Sequence, residues 1–191
     1  MARYRRAYQP GGTFFFTVVT NNRRKIFHNP QARNLLHEAL RKVQAERPFE
    51  VPAMVLLPEH LHCIWKLPVE DADFSVRWSC IKRNFTKLWL RAGGTEGSVR
   101  PYRAKLRERG VWQRRFWEHR IRSEDDFIKH VNYIHYNPVK HNLAACPHLW
   151  PYSSFHRWAK EGHYAADWLC RCDKGKLEPP DFGDIENTIR E

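Results

Sequence analysis

Leu57-Pro58-Glu59-His60-Leu61-His62-Cys63-Ile64-Trp65 is the stretch on which the predicted fold depends. Two runs with strand character meet at a tight turn within it. Side chains alternate along a strand, so His60 and His62 share one face while Leu61 and Cys63 share the other. Two neutral imidazoles side by side can hold a divalent metal. Two buried histidines satisfied by hydrogen bonds would give the same pattern, so the spacing needs support from elsewhere.

A second stretch, residues 123–138, has the pattern of an α-helix. Ser123 is suited to cap it, acidic residues fill its first turn, and Pro138 is expected to end it. Phe127, Val131 and Ile134 recur at helical spacing and mark the buried stripe. The helix is therefore expected to pack with this stripe against the rest of the domain.

Tyr133 and Asn137 lie one turn apart along one flank of this stripe. If the helix packs against the histidine strand, a phenol and an amide meet the two imidazoles of His60 and His62. The four side chains would then form a nucleophile beside a metal site. Tyr136 points nearly opposite the stripe and is the rival nucleophile, because helical-wheel reasoning is loose near a helix end.

The order of predicted elements indicates one α+β domain. Strands are expected over 13–20, 50–57, 60–67 and 114–121, and helices over 31–46 and 73–91. This order is that of a ferredoxin-like, or RRM-like, sandwich with a central antiparallel sheet. The tyrosine-bearing helix is added on its C-terminal side. We expect the two packing helices on one face of the sheet and the metal with the tyrosine helix on the other.

Less regular segments surround and interrupt this domain, which is predicted to span residues 13–158. Residues 1–12 form a basic aromatic arm. Residues 92–111 form a linker rich in Arg and Lys, which we expect to be a mobile loop that contacts a DNA backbone. Residues 159–191 turn Pro-rich and acidic and are predicted to be a partly flexible tail. One hypothesis is that this tail occupies the basic groove and competes with DNA.

The charge of the chain favours a polyanionic partner. Its 191 residues contain 33 Lys and Arg against 21 Asp and Glu, a formal net charge of +12. Binding to nucleic acid releases condensed counterions, which such a charge exploits. A ribosomal or membrane-surface protein would also be compatible. Because no apolar run is long enough to span a bilayer and no signal-like core follows the N-terminus, we expect a cytoplasmic protein.

The five cysteines do not form a disulfide framework in sequence. Cys63, Cys80 and Cys146 are far apart, and reduced thiols are the simplest expectation. Cys170-Arg171-Cys172 is a CxC pair with no second metal-binding pair legible in the sequence. A zinc knuckle is therefore not predicted there, and the pair is assigned no role.

Three blocks of the sequence resemble one known family. They are Leu57 to Trp65 as quoted above, Trp112-Gln113-Arg114-Arg115-Phe116-Trp117-Glu118-His119, and Tyr133-Ile134-His135-Tyr136-Asn137-Pro138-Val139-Lys140-His141. In this order they are similar to the REP-associated tyrosine transposases, a branch of the single-tyrosine HUH transposases. The resemblance extends from the Tyr4-Arg5-Arg6 arm to about Trp158.

The resemblance implies an enzyme that nicks and rejoins single-stranded DNA at repetitive extragenic palindrome hairpins through a 5′-phosphotyrosine. It implies Tyr133 as the nucleophile and His60 and His62 as ligands of Mg²⁺ or Mn²⁺. Relatives among the insertion sequences place a glutamine one turn after the tyrosine. Here Asn137 stands at that position and is expected to act as the third ligand, either directly or through a water. Because the tyrosine helix follows the last strand, it can serve the histidines of its own chain, and a monomer is compatible.

The resemblance also suggests residues around the metal and along the DNA. Glu59 and His119 are candidates to contact and orient the metal ligands without binding the metal themselves. Ordinary polar residues of a turn and a strand would give the same pattern. Residues 1–10 are expected to read the bases that flank the hairpin, since arginine neutralises phosphate and aromatic rings stack on unpaired bases. The candidate DNA-binding residues are Arg3, Tyr4, Arg5, Arg6, Arg23, Arg24, Lys82, Arg83, Arg114, Arg115 and Lys140. For the basic residues of helix 73–91, a merely solvated face is an equal alternative.

Two other classes of function are compatible with parts of the sequence. A non-catalytic RRM-like module that binds single-stranded nucleic acid would share the fold, but the aromatic pair it carries on adjacent central strands is not identifiable here. A zinc hydrolase would want a third strong nitrogen or sulfur ligand at a legible spacing, and no HExxH-type helix surrounds the histidine pair. Whether Tyr133 lies beside His60 and His62 therefore decides between the transposase and these two alternatives.

Overall fold

The computed structural model describes residues 8–106, 108–165, 167–172, 180–183 and 185. In this part of the chain a four-stranded antiparallel sheet has the spatial order β2-β3-β1-β4. Its strands are β1 (Thr13–Val19), β2 (Glu50–Leu56), β3 (His60–Lys66) and β4 (Trp117–Arg120). With α1 (Pro30–Glu46) and α2 (Phe74–Arg91), they follow the chain order βαββαβ. The predicted ferredoxin-like α+β sandwich is confirmed.

Three further helices complete the described chain: α3 (Pro101–Lys105), α4 (Glu124–Lys140) and α5 (Phe155–Lys160). Short 3-10 turns occupy Asn21–Arg23, Ile26–His28 and Pro147–Leu149. The last strand is shorter than the predicted span of 114–121. Its ladder with β1 stops at Trp117 and pairing resumes as an isolated bridge between Trp112 and Thr20, so the residues between them leave the sheet.

The face of the sheet that carries α1 and α2 holds the larger core. Phe14 and Phe16 of β1 point to this side together with Leu61, Cys63 and Trp65 of β3, and all are fully buried. The Trp65 ring stacks on that of Trp78 in α2, with the ring centroids 4.2 Å apart. The predicted division of β3 into two faces is therefore correct.

Helix α4 covers the opposite face, where Phe15 and Ile64 pack with Val131 and Ile134. Ser123 caps the helix as predicted, because its side chain accepts a hydrogen bond from the amide of Asp126. The prediction that Pro138 ends the helix is wrong: the helix runs through it to Lys140. Proline removes one N–H from the ladder, but its fixed φ suits a helix, and the helix ends within a turn of it.

The chain after α4 folds back over the outer side of that helix. His135 contacts Tyr164 and Ser154, and the Tyr136 ring lies 5.6 Å from that of Phe182. The helix is buried on nearly all sides between His130 and Val139, so Tyr136 is only 3% exposed although it points away from the sheet. The predicted C-terminal tail thus contacts the domain at its described residues Phe182 and Ile185, which are both buried.

The linker at 92–111 is tied to the domain within its described part. Trp89 Nε1 donates to the carbonyl of Thr95, Gly97 N donates to the carbonyl of Gly110, and Arg109 forms two hydrogen bonds to Glu96. Its mobility and its contact with DNA stay predictions. No helix in the described chain is both long enough and apolar enough to cross a membrane.

Cys146 and Cys170 form a disulfide, so the expectation of reduced thiols is wrong for this pair. Cys63, Cys80 and Cys172 carry free sulfurs. This pairing is not predictable from the sequence, because the partners are 24 residues apart and meet only when the C-terminal segment folds back.

Candidate active site

The histidine pair lies at the start of β3, which is flanked by β1 and β2 in the middle of the sheet. His60 and His62 are 1% and 0% exposed, and their ring centroids are 4.8 Å apart. The hydroxyl of Thr17, directly opposite in the β1 register, lies 2.9 Å from His62 Nδ1. Glu59 Oε1 lies 3.2 Å from His60 Nδ1.

This arrangement orients both imidazoles in the way that metal-ligating histidines are held. Each ring has its Nδ1 in contact with an oxygen that can accept a hydrogen bond from Nδ1–H, and each has its Nε2 buried. A hydrogen bond at one ring nitrogen fixes the tautomer and presents the other nitrogen as the ligand. The two residues therefore fit a divalent metal through Nε2.

Glu59 is held as a carboxylate. Its hydrogen bond with His60 is the main cause that lowers its pKa to about 2, and the guanidinium of Arg23, 3.3 Å away, lowers it further. A charged acceptor behind a histidine increases the basicity of that ring and fixes its orientation. The candidate role of Glu59 behind the metal ligands is compatible with this contact.

Tyr133 of α4 lies beside the histidines and is completely buried. Its ring centroid is 5.5 Å from that of His62 and 6.2 Å from that of Phe15. Lys140 Nζ donates a hydrogen bond of 3.1 Å to the phenol oxygen and lies 4.7 Å from the ring centroid. The ammonium thus stands next to the oxygen that would carry negative charge in a phenolate.

Asn137 lies between Tyr133 and His141 on the same face of α4, since the three are spaced by four residues. Asn137 is 0% exposed and its Oδ1 is buried. The ring of His141 lies 5.4 Å from that of His60, and its Nε2 is buried. His141 was not among the predicted site residues. Its spacing of four residues from Asn137 and eight from Tyr133 is the sequence signal that would have placed it on the same side of the helix.

Tyr136 is on the other side of the helix. Its hydroxyl accepts a hydrogen bond from the guanidinium of Arg171, which also lies against its ring. The structure therefore brings Tyr133, and not Tyr136, to the histidine pair. The Tyr133 ring, predicted on the flank of the apolar stripe, thus lies beside His62, and its role as nucleophile stays a prediction.

His119 belongs to a neighbouring cluster. Its Nε2 lies 3.0 Å from a carboxylate oxygen of Asp126, and its ring stacks on that of His130 with 4.6 Å between centroids. Burial is the main cause that lowers the pKa of His130 and favours its neutral form. His130 packs on Phe15, whose ring lies 5.5 Å from that of His62. The rings of His130 and Phe15 thus separate His119 from His62, and the role of His119 in supporting the metal ligands stays a prediction.

The predicted DNA-binding residues fall into several groups. Arg3, Tyr4, Arg5 and Arg6 lie outside the described residues. Arg23 pairs with Glu59, and Arg24 donates to the carbonyl of Thr95. Lys140 faces the Tyr133 hydroxyl, and Arg115 is exposed.

The remaining three residues of this set, Lys82, Arg83 and Arg114, line one cleft of about 750 Å³ beside α2. The other basic residues of its lining are Lys87, Arg91, Arg103 and Arg109. Trp112, at the cleft wall, pairs with Thr20, whose amide donates to the carbonyl of Glu59. The basic cleft therefore borders the end of the sheet at which His60 lies.

No family model matches the chain, but individual proteins do. A REP-associated tyrosine transposase of Escherichia coli strain K12 is 46% identical over 168 residues, which cover 88% of this chain and 91% of that protein. A Haemophilus influenzae protein assigned to the same family is 39% identical over 168 residues, 88% of this chain and 93% of its own. A solved structure of a REP-associated tyrosine transposase bound to a REP hairpin matches with a TM-score of 0.72 and 41% identity, over 93% of this chain and 99% of that one.

The sheet, the buried tyrosine and these relatives agree on the class of protein, which is a tyrosine transposase, an enzyme that transfers DNA strands. The similarity covers nearly the whole of each relative, so the assignment concerns the complete domain and not an isolated motif. Within this class, the chain belongs to the family of REP-associated tyrosine transposases.

Proposed function

We propose that this protein nicks and rejoins single-stranded DNA at REP-type hairpins through a 5′-phosphotyrosine on Tyr133, with a divalent metal bound beside it. The observation that carries the proposal is the meeting of Tyr133 with His62 in a buried site, where Lys140 also contacts the phenol oxygen. A phenol that served only to fill the core would not require an ammonium at its hydroxyl and an imidazole beside its ring.

The metal would be held by His60, His62 and Asn137, and His141 is a further nitrogen within reach of the same site. Imidazole nitrogens with an amide oxygen suit Mn²⁺, and Mg²⁺ is also accommodated when waters complete its octahedron. Bound there, the metal would withdraw charge from the nonbridging oxygens of the scissile phosphate. Glu59 and Thr17 support this function by orienting the two imidazoles.

The residues of the chain perform the remaining steps. The phenol oxygen of Tyr133 loses its proton and forms a bond to phosphorus, while the bond from phosphorus to the 3′ oxygen breaks and that oxygen takes up a proton. Lys140 stabilises the negative charge on the phenol oxygen before attack. The covalent link preserves the phosphodiester energy, so that a 3′-hydroxyl of another strand can later displace the tyrosine.

The proposed DNA partner rests on charge and on the relatives. The formal charge of +12 favours a polyanion, and the basic cleft borders the end of the sheet that carries His60. The related solved structure is bound to a REP hairpin, which makes a hairpin of this type the first substrate to try. Since α4 reaches the histidines of its own chain, we propose a monomer as the active unit, in the cytoplasm.

The RRM-like alternative is disfavoured by burial. Such a module stacks bases on aromatic side chains that are exposed on its sheet. Here Phe15 on the α4 side and Phe14 and Phe16 on the other side are each 0% exposed. The sheet offers no stacking platform at these positions, and α4 occupies the face on which bases would lie.

The experiment is a nicking assay on a labelled single-stranded hairpin with Mg²⁺ or Mn²⁺. Label placed on the 3′ side of the scissile phosphate, in the fragment that keeps the 5′-phosphate, should stay on the denatured protein in the wild type and in Tyr136→Phe, and should disappear in Tyr133→Phe. Addition of EDTA should abolish the adduct. An adduct that survives Tyr133→Phe, or nicking that leaves no label on any variant, would contradict the proposal.

A further inference from the structure

Three cysteines and a histidine meet on the side of the molecule where the C-terminal segment folds back on the chain after α4. The ligand atoms of Cys146, His148 and Cys170 all lie within 4.8 Å of one another. Cys172 Sγ lies 2.9 Å from Cys146 Sγ. The CxC pair that lacked a partner in the sequence is thus joined in the fold by a CxH pair.

We propose that Cys146, His148, Cys170 and Cys172 form a structural Zn²⁺ site when the chain is reduced. Three thiolates and one imidazole are the Cys₃His donor set of closed structural zinc sites, which are four-coordinate and tetrahedral. Both pairs have one intervening residue, a tighter spacing than the two to four that such sites commonly show. This spacing explains why a sequence pattern alone does not reveal the site.

The backbone holds the two pairs side by side without help from sulfur. The amide of Arg171, between the two cysteines of the CxC pair, donates to the carbonyl of Ala145, which precedes the CxH pair, at 3.0 Å. Cys146 begins the turn Pro147–Leu149, where the amide of Leu149 donates to its carbonyl. The ligands are therefore presented by two anchored turns, which lowers the entropic cost of binding the metal.

The burial of the ligands is also suited to a metal. Cys146 is 0% exposed and forms the floor of the cluster, Cys170 is half-buried, and His148 and Cys172 are exposed at its rim. A hydrated ion can reach this rim and exchange its waters for the ligands one at a time. The cluster is separate from the His60 and His62 pair, because it lies with the C-terminal segment beyond the outer side of α4.

The disulfide between Cys146 and Cys170 and the zinc site are alternative states of the same sulfurs. A dithiol reductant supplies two electrons and two protons, opens the disulfide to two thiols and leaves as its own disulfide. Zn²⁺ then displaces one proton from each of the three thiols, while His148 binds through a neutral nitrogen. In the oxidised chain only Cys172 and His148 remain as donors of this set, too few for a four-coordinate structural site, so zinc uptake should require reduction.

The site would hold the start of the C-terminal segment, at Cys170 and Cys172, in place. Arg171, between two of the ligands, donates to the hydroxyl of Tyr136 on the outer side of α4. Further along the chain, Phe182 packs on both Tyr136 and Tyr133. A bound metal would hold this segment against the helix that carries the tyrosines.

The test uses the full chain, reduced with a phosphine and freed of metal, then loaded with Zn²⁺ or Co²⁺. We expect one tightly held zinc that survives dialysis in a His60→Ala/His62→Ala double variant, and an intense thiolate-to-cobalt charge-transfer absorption. Nitrogen and oxygen ligands of the histidine site do not give this absorption. Cys172→Ser and His148→Ala, at exposed positions, should each weaken zinc binding at least tenfold, while Cys80→Ser should not change it.

Circular dichroism of each variant verifies that it is folded before its metal content is interpreted. The proposal is overturned if the reduced, folded chain takes up no zinc in the His60→Ala/His62→Ala background. It is also overturned if cobalt gives no thiolate absorption, or if Cys172→Ser and His148→Ala hold zinc as tightly as Cys80→Ser does. These measurements involve no DNA, so a failure of the zinc proposal can be distinguished from a failure of the proposed transposase function.

Discussion

Phe182 lies edge-on against the ring of Tyr133, with the two ring centroids 5.5 Å apart. Tyr133 is completely buried and Phe182 is 5% exposed. A phosphate can reach the buried phenol only after some of the groups that cover Tyr133 move, and Phe182 is one of these groups. The described residues Phe182 and Ile185 of the tail pack with the side chains of α4 and do not line the basic cleft, and competition of the tail with DNA stays a hypothesis.

Replacing Phe182 by alanine should therefore increase the rate of adduct formation at Tyr133. Burial of a phenylalanine side chain contributes roughly 1.5–3 kcal/mol, so its loss shifts the ratio of open to closed molecules by about ten- to a hundredfold. The measurement is the single-turnover rate of adduct formation at subsaturating DNA. Val69→Ala, at an exposed position, is the control. A rate that is unchanged or lower in Phe182→Ala would mean that the segment supports the site instead of obstructing it.

Lys140 should contribute to the reaction through the phenol oxygen of Tyr133. Lys140→Gln removes the positive charge while keeping a donor, and a hydrogen bond to a charged group is worth about 1.5–3 kcal/mol, or roughly ten- to a hundredfold in rate. The ascending limb of the pH–rate profile, which reports loss of the phenol proton, should move to higher pH because the phenolate has lost its ammonium partner. Lys140→Arg should recover part of the rate.

Lys66→Gln is the matched control for this prediction, since Lys66 is exposed and pairs with Glu50 at the sheet edge. If Lys140 served only to hold DNA, Lys140→Gln would change the affinity for the hairpin and its salt dependence but leave the pH profile in place.

Much of this site was predictable from the sequence, because alternation along a strand and periodicity along a helix are local properties. The pairing of His60 with His62, the flank shared by Tyr133 and Asn137, and the two faces of β3 follow from these periods alone. That α4 would lie on the histidine face follows from the order of the elements and the direction of the apolar stripe.

What escaped the sequence depends on contacts between distant segments. Thr17 orients His62 only because the β1 register places the two residues opposite each other. Lys140 was assigned to DNA because its charge was visible and its proximity to Tyr133 was not, as the helix was expected to end at Pro138. The side of α4 that faces away from the sheet is apolar and buried because the C-terminal segment folds back over it. The periodicity of apolar residues within the helix does not predict this cover.

Glu59→Gln should weaken metal binding at the histidine pair. Loss of a partner behind a ligating histidine typically costs 10–100-fold in metal affinity or activity, and glutamine retains the shape but not the charge that faces His60 Nδ1. The measurement is the Mn²⁺ concentration that gives half-maximal nicking. Glu50→Gln, at an exposed position of β2, should leave that concentration unchanged. The same midpoint in Glu59→Gln and in the wild type would mean that Glu59 only pairs with Arg23.

Stability should fall in acid because of His135, which lies between α4 and the C-terminal segment. Burial lowers its pKa from 6.5 to about 3, and its ring nitrogens contact Ser154 and Tyr164. The unfolded chain therefore binds a proton at this residue that the folded chain rejects. Its contribution is fully present above pH 6.5 and is lost as the pH falls toward about 3, with a slope of at most about 1.4 kcal/mol per pH unit.

Urea unfolding between pH 7 and pH 4 measures this slope. In His135→Gln the free energy of unfolding should depend less steeply on pH than in the wild type, by up to one proton, even though the variant is less stable at neutral pH. His37→Gln, at an exposed position of α1, should retain the wild-type slope. Equal slopes in His135→Gln and the wild type would show that His135 takes up its proton in the folded state, and that the cover over α4 does not depend on a neutral imidazole.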